Sequence, residues 1–132
     1  KEATGNVDRV SQLRTLLDAE FSILSGDDSL TLPMMAVGAN GVISVASNIV
    51  PREVVEMVRA ALQNDFRRAG QLHAKLFPLF KDLFIETNPI PIKAALAMAG
   101  RIEETYRLPL VPMSENNRQR LRATLLALGL LK

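Results

Sequence analysis

The chain has no cysteine, no tryptophan, one tyrosine and one histidine among its 132 residues. Without cysteine, disulfides, thiolate zinc sites and thiol nucleophiles are excluded, in agreement with a reducing compartment. Aromatic residues make up 5% of a chain that is 48% hydrophobic, so the core must be aliphatic. No apolar run approaches the roughly 20 residues of a membrane-spanning helix, and no secretory leader is visible. The lone His73 follows Leu72 within a helical pattern, has no second histidine or serine partner pattern, and reads as a surface or interface residue. The acidic pairs Asp27-Asp28 and Glu103-Glu104 are adjacent, so their carboxylates point different ways and form no metal site. No glycine-rich phosphate loop is present. The net charge of +2 is small and dispersed. The best basic cluster, Arg118, Arg120 and Arg122, has a spacing of two that spreads it around a helix. A solvated face is expected there, not a polyanion site. Neither nucleic acid nor membrane is expected as a partner, and no cofactor is implied.

Helical and strand patterns alternate along the first half. Asn6 is a good N-cap, and Val7, Val10, Leu13, Leu16 and Leu17 follow helical spacing after it. Phe21 to Ser25 reads as a short strand stopped by Gly26. Asp28 or Ser29 can cap a short helix through Val37, ended by Gly38. The β-branched run Val42 to Ala46 reads as a second strand, buried on both faces as in a parallel sheet. Pro51 suits the first turn of a helix whose apolar stripe is Val54, Val55, Val58, Ala61 and Leu62. From Ala69 to Leu83 a long helical stripe runs past Pro78, where a kink is expected. The prolines of Glu86 to Pro91 predict a non-helical connection, with a helix resuming over Ile92 to Ala99. An extended loop over Arg107 to Pro112 leads to Ser114, the cap of a last helix ended by Gly129.

Such βα units build parallel sheets. Two strands alone leave unpaired edges, so further strands are expected upstream. The fold class expected is α/β, with residues 1–65 contributing part of a sheet and residues 66–132 a C-terminal helical region.

Lys1 stands directly before a small-residue turn and a capped helix, a place for a carbonyl-attacking amine. Such an amine must be neutral, which takes desolvation or a neighbouring cation. A chain opening on its own candidate nucleophile is expected to be the C-terminal portion of something longer. Catalytic residues of (β/α)8 barrels sit at the C-terminal ends of strands, which singles out Gly26, Asp27, Ile43 and Asn48. Gly26 lets a ligand approach the backbone, although by pattern alone Gly26-Asp27-Asp28 reads first as a turn and helix cap. Ile43 by pattern alone is a core residue, and Asn88-Pro89-Ile90-Pro91 a helix stop.

Five stretches taken together resemble the dihydrodipicolinate synthase family. They are Lys1 to Asn6, Leu24 to Asp28, Gly41 to Val45, Glu86 to Lys93 and Leu108 to Leu110. Their order and spacing span essentially the whole chain. The resemblance implies the C-terminal part of a homotetrameric (β/α)8 TIM barrel followed by helices, in a bacterial cytoplasmic or plastid enzyme. It implies condensation of pyruvate with aspartate semialdehyde on the path to diaminopimelate and lysine. By this likeness Lys1 forms the Schiff base, and Ile43 binds pyruvate through its main chain. Gly26 lies close to the lysine, and Asn88 stands behind the ligand-contacting residues at the barrel mouth. The family's relay tyrosine, paired threonines and carboxylate-binding arginine precede the lysine and are absent here. Tyr106 comes too late to replace the first, so these residues alone are expected to be inactive.

Two other readings compete. N-acetylneuraminate lyase or a keto-deoxy-sugar aldolase of the same superfamily shares the lysine and barrel but takes another aldehyde; Gly41 to Val45 and Asn88 to Pro91 favour the synthase. A non-catalytic helical scaffold that self-associates through exposed apolar faces is the reading from another class.

Overall fold

Capping and proline chemistry open two of the helices where the sequence predicts them. A computed structural model of the chain describes residues 1–131. The Asn6 side chain accepts a hydrogen bond from the Asp8 amide and opens helix α1, Val7–Leu16. Pro51 occupies the first turn of α3, Pro51–Leu62, where its missing amide costs nothing. Between them lie β1, Leu24–Ser25; a 3-10 turn, Asp28–Leu30; α2, Thr31–Ala36; β2, Gly41–Val42; and a second 3-10 turn, Ala46–Asn48. Helices α4, Phe66–Asp82, α5, Ile90–Met98, and α6, Glu115–Ala127, complete a mostly helical α/β chain. The chain divides into two compact units, Lys1–Lys75 and Leu76–Lys132.

In the first unit, β1 and β2 pair in parallel with Leu24 opposite Gly41 and Ser25 opposite Val42. A third segment joins them. Glu2 bridges Ser25 in parallel, donating its amide to the Leu24 carbonyl at 2.8 Å and accepting from the Gly26 amide at 2.6 Å. The segment that opens the chain is therefore a strand-like neighbour of β1, which the periodicity of the sequence does not reveal. Contacts of α2 with both strands and with α3 enclose the buried Val10, Met34, Ile49, Val54 and Met57.

Both strands are shorter than the sequence predicts. Phe21 is exposed and only Leu24 and Ser25 pair as β1. The second ends after Val42 because Ala46 enters a 3-10 turn. The apolar stripe of α3 also shifts: Val54, Met57, Ala60 and Ala61 are buried, whereas Val55 and Leu62 are exposed.

Arg14 ties the strand entrances to α1. Its guanidinium donates to the Gly38 carbonyl at 2.8 Å, the Phe21 carbonyl at 2.8 Å and the Asn40 side-chain oxygen at 2.6 Å. The same Asn40 oxygen accepts from the Ile23 amide at 2.9 Å. One arginine thus anchors the residues leading into β1 and into β2. Two of its acceptors lie 24 and 26 residues away, beyond any local sequence signal.

In the second unit, α5 and α6 pack together around buried Ile92, Ala95, Leu121 and Leu125. Helix α5 begins at Ile90, so Pro91 lies inside its first turn and the non-helical connection ends earlier than expected. Ser114 stands at the N-cap of α6 without capping it. Its hydroxyl instead donates to Glu86 at 2.6 Å, and the same carboxylate oxygen accepts from the Ser114 amide and Asn117. Asp82 is buried and accepts from Arg120 at 2.8 Å and Thr124 at 2.6 Å. Two of the three arginines expected on a solvated face are thus engaged by carboxylates, Arg120 by Asp82 and Arg118 by Glu104.

The Arg118 hydrogen bond, at 2.7 Å, is the main cause that holds the Glu104 carboxyl below the usual carboxylate range. A carboxyl depressed on folding stabilises the fold above the unfolded value and loses that contribution as pH falls through the folded one. We therefore expect Glu104→Gln to cost on the order of 1 kcal/mol near neutral pH. The difference from the unsubstituted protein should vanish as pH falls through the ordinary carboxyl value of 4.5 and below it. Urea unfolding across that range measures it; a constant difference at all pH values would count against the ion pair.

Candidate active site

The three parallel segments bring their C-terminal ends to one edge of the sheet. Through the Glu2–Ser25 bridge, Lys1 stands in register with Leu24, and Ala3 with Gly26. Lys1 is exposed, and its side chain leans along the strand direction over the next segment. A Cβ built on Gly26 would lie 2.8 Å from Lys1 Cε, 2.5 Å from Ala3 Cβ and 3.1 Å from the Glu2 carbonyl oxygen. Gly26 is glycine for lack of space rather than for a left-handed backbone. Its missing side chain is the room the lysine stem occupies.

Ile43 follows directly. Its amide donates to the Ser25 carbonyl at 2.8 Å, which continues the β1–β2 ladder one residue past the strand. The side chain is 47% exposed, so Ile43 is not the core residue its pattern suggests. In a parallel ladder its carbonyl would pair with the Asp27 amide. That amide is turned away to the Ser25 hydroxyl at 3.2 Å. No donor among the described residues bonds the Ile43 carbonyl. The edge therefore offers a primary amine, a side-chain-free stretch beside it and an unpaired main-chain acceptor on the next strand.

Glu2 is buried beneath this edge, and its side chain accepts from the Thr4 amide at 2.7 Å. Hydrogen bonds from Thr4 hold its carboxyl below the usual range, so it stays ionised near neutral pH. The Asp27 side chain makes no hydrogen bond among the described residues, and Asn48 turns inward upon the 3-10 turn, donating to the Val45 carbonyl at 2.9 Å. Asn88 is exposed and belongs to the second unit.

Asp28 departs most from its sequence reading. It is 2% exposed and caps no helix of its own. One carboxylate oxygen accepts from the Ser44 hydroxyl, and the other from the Val45 and Ala46 amides at 3.0 Å each. The separation of 16 to 18 residues leaves no local signature by which sequence reasoning could find it.

The other candidates for chemistry are spoken for. Lys93 donates to the Thr105 carbonyl and stands 5.1 Å from the centre of the Tyr106 ring. Burial first, then the hydrogen bond to Glu104, pushes the Tyr106 hydroxyl up to about 12, which keeps it protonated. It cannot act as a base near neutral pH. No group of three or more potential metal ligands occurs among the described residues, and no described helix is long and apolar enough to cross a membrane.

The sequence profile of the dihydrodipicolinate synthetase family matches residues 1–128. The 4-hydroxy-tetrahydrodipicolinate synthase of Aquifex aeolicus (strain VF5) is 60% identical over 125 residues, which are 95% of this chain and 42% of that protein. The crystal structure of dihydrodipicolinate synthase from Aquifex aeolicus superposes with a TM-score of 0.96 at 58% identity, covering 98% of this chain and 44% of that one. The chloride-inhibited enzyme from Acinetobacter baumannii, solved in complex with pyruvate, gives a TM-score of 0.94 at 40% identity, covering 99% and 45%. The chain thus spans less than half the length of the relatives it matches. With the amine, the glycine beside it and the open main-chain acceptor at one sheet edge, and a family profile running from residue 1 to residue 128, this chain belongs to the dihydrodipicolinate synthetase family.

Proposed function

We propose that the full-length protein carrying these residues condenses pyruvate with aspartate semialdehyde through a Schiff base on Lys1. The observation that carries this reading is the placement of the Lys1 side chain over Gly26, at the same sheet edge as the unpaired carbonyl of Ile43. The neutral amine adds to the ketone carbon of pyruvate, and loss of water leaves an imine. The imine withdraws electrons, so the methyl group gives up a proton and an enamine forms. Its carbon attacks the aldehyde of the second substrate. Ring closure by that substrate's own amine expels the lysine and restores the free side chain.

In this reading Ile43 accepts a hydrogen bond from the bound ligand through its carbonyl, Gly26 leaves space for the imine, and Asn88 lies behind the residues that touch the ligand. Residues 1–65 belong to a (β/α)8 barrel and residues 66–132 to the helical region that follows it. A homotetramer in the cytoplasm or a plastid is the assembly and setting we propose. Support for pyruvate comes from the Acinetobacter baumannii relative solved with it. The test is reduction with borohydride in the presence of labelled pyruvate. Label recovered on the peptide containing Lys1 supports the assignment, and label elsewhere or nowhere refutes it.

The isolated 132 residues are a different matter. Phe21, Val55 and Leu62 are exposed, and Leu24, Val42, Val54 and Val58 line an apolar hollow beside β2. Exposed apolar surface of this kind favours association, and short parallel strands with open edges do not stand alone. Expressed alone, this chain is expected to give helical circular dichroism, a size above the monomer and no synthase turnover. A compact monomer in sedimentation that condenses the two substrates would overturn the expectation.

A further inference from the structure

We infer that Asp28 is the residue that positions the Ile43 carbonyl for pyruvate, although it stands on a different strand's exit loop and touches no part of the proposed Schiff base. The inference rests on the pyruvate reading above.

Three donors follow Ile43 in immediate succession: the Ser44 hydroxyl and the amides of Val45 and Ala46. All three end on the Asp28 carboxylate. The chain therefore bends one residue after the ladder bond from the Ile43 amide to Ser25. Ser44 relays the grip, because its side-chain oxygen accepts from the Ser47 amide at 2.8 Å while the Ser47 hydroxyl returns to the Ser44 carbonyl at 3.0 Å. An imported carboxylate thus caps the Ala46–Asn48 turn together with Ser44, since Val45 at the N-cap position has no side chain that can.

The consequence falls on Ile43. Its amide is fixed by Ser25, and Asp28 fixes the Ser44 side chain and the two peptide amides beyond it, so the Ile43–Ser44 peptide is anchored at both ends while its carbonyl bonds no described donor. Asp28 is 2% exposed, so water cannot readily replace its carboxylate when that is removed. Both carboxylate oxygens are used as acceptors. An asparagine offers one acceptor and turns an N–H₂ toward the remaining donors.

The test uses the full-length enzyme. Borohydride trapping of pyruvate on Lys1 is measured first in the unsubstituted protein. Steady-state kinetics then follow for Asp28→Asn and Ser44→Ala, together with their melting temperatures. We expect Asp28→Asn to raise the pyruvate KM by about tenfold or more, the scale of one lost charge-assisted hydrogen bond. Ser44→Ala should raise it by roughly threefold, since the two amide bonds to Asp28 survive. A role in folding alone would lower the melting temperature and leave KM in place. A pyruvate KM within about twofold of the unsubstituted enzyme in folded Asp28→Asn overturns the inference. If that variant cannot be recovered folded, an unchanged KM in Ser44→Ala overturns it instead. Absence of pyruvate trapping in the unsubstituted protein refutes the underlying reading, and this inference with it.

Discussion

Lys1→Ala in the full-length protein is expected to reduce synthase turnover to background and to abolish borohydride trapping of pyruvate. Only an amine can form the imine, and no other described lysine stands at the sheet edge. Lys75 and Lys81 lie on α4, while Lys93 is bonded to Thr105. Because Lys1 is exposed, its truncation should change stability by no more than about 0.5 kcal/mol. An intact melting transition combined with lost turnover is the signature of a catalytic amine. Pyruvate-dependent label retained by the variant would remove Lys1 from the mechanism.

The second large effect is expected at Gly26. A single methyl group there would sit 2.5 Å from Ala3 Cβ and 2.8 Å from Lys1 Cε. The lysine stem can swing away, but Ala3 belongs to the neighbouring paired segment, so relieving its contact shifts the segment that carries Lys1. Overpacking of this kind costs about 1–3 kcal/mol. The larger penalty is catalytic, because displacing a reacting group by about 1 Å can cost on the order of 10²-fold. Gly26→Ala should therefore lower kcat/KM by about that factor. Ile43→Ala, which keeps the carbonyl and loses only a half-exposed side chain, should change it by no more than a few fold. Steady-state kinetics with pyruvate on both variants decides the matter. A larger rise in pyruvate KM for Ile43→Ala than for Gly26→Ala would show that the isoleucine side chain carries the contact.

Lys1 and Gly26 stand out in the sequence as candidates because each is marked by residue type. A lysine beside a small-residue turn and a glycine at a strand end are signals that survive in one dimension. Helix boundaries are legible for a similar reason. Asn6 caps α1 through an amide two residues on, and Pro51 needs only its own fixed torsion. Such interactions are complete within one turn of chain, so a short window of sequence contains both partners.

Ile43, Asp28 and the opening segment follow different rules. The β-branched run from Val42 to Ala46 favours a strand locally, yet the ladder stops because a carboxylate some 16 residues upstream captures the donors after Ile43. By sequence Asp28 reads as a helix cap, since aspartate before a helix usually is one, but a buried carboxylate goes where several donors converge. Glu2 joins the sheet only because Leu24 and Gly26 present matching groups to it. Pro91 reads as a helix stop, although a proline costs nothing in the first turn and α5 starts one residue ahead of it. The sequence by itself determined the Asn6 cap, the proline start of α3, the aliphatic core and the family to which this chain belongs. Only the tertiary structure decided that Lys1 lies across Gly26 and that the Ile43 carbonyl stays unpaired. Both depend on hydrogen bonds and steric contacts between residues distant in the chain, and a pattern of neighbouring residue types contains no information on which distant donor meets which acceptor.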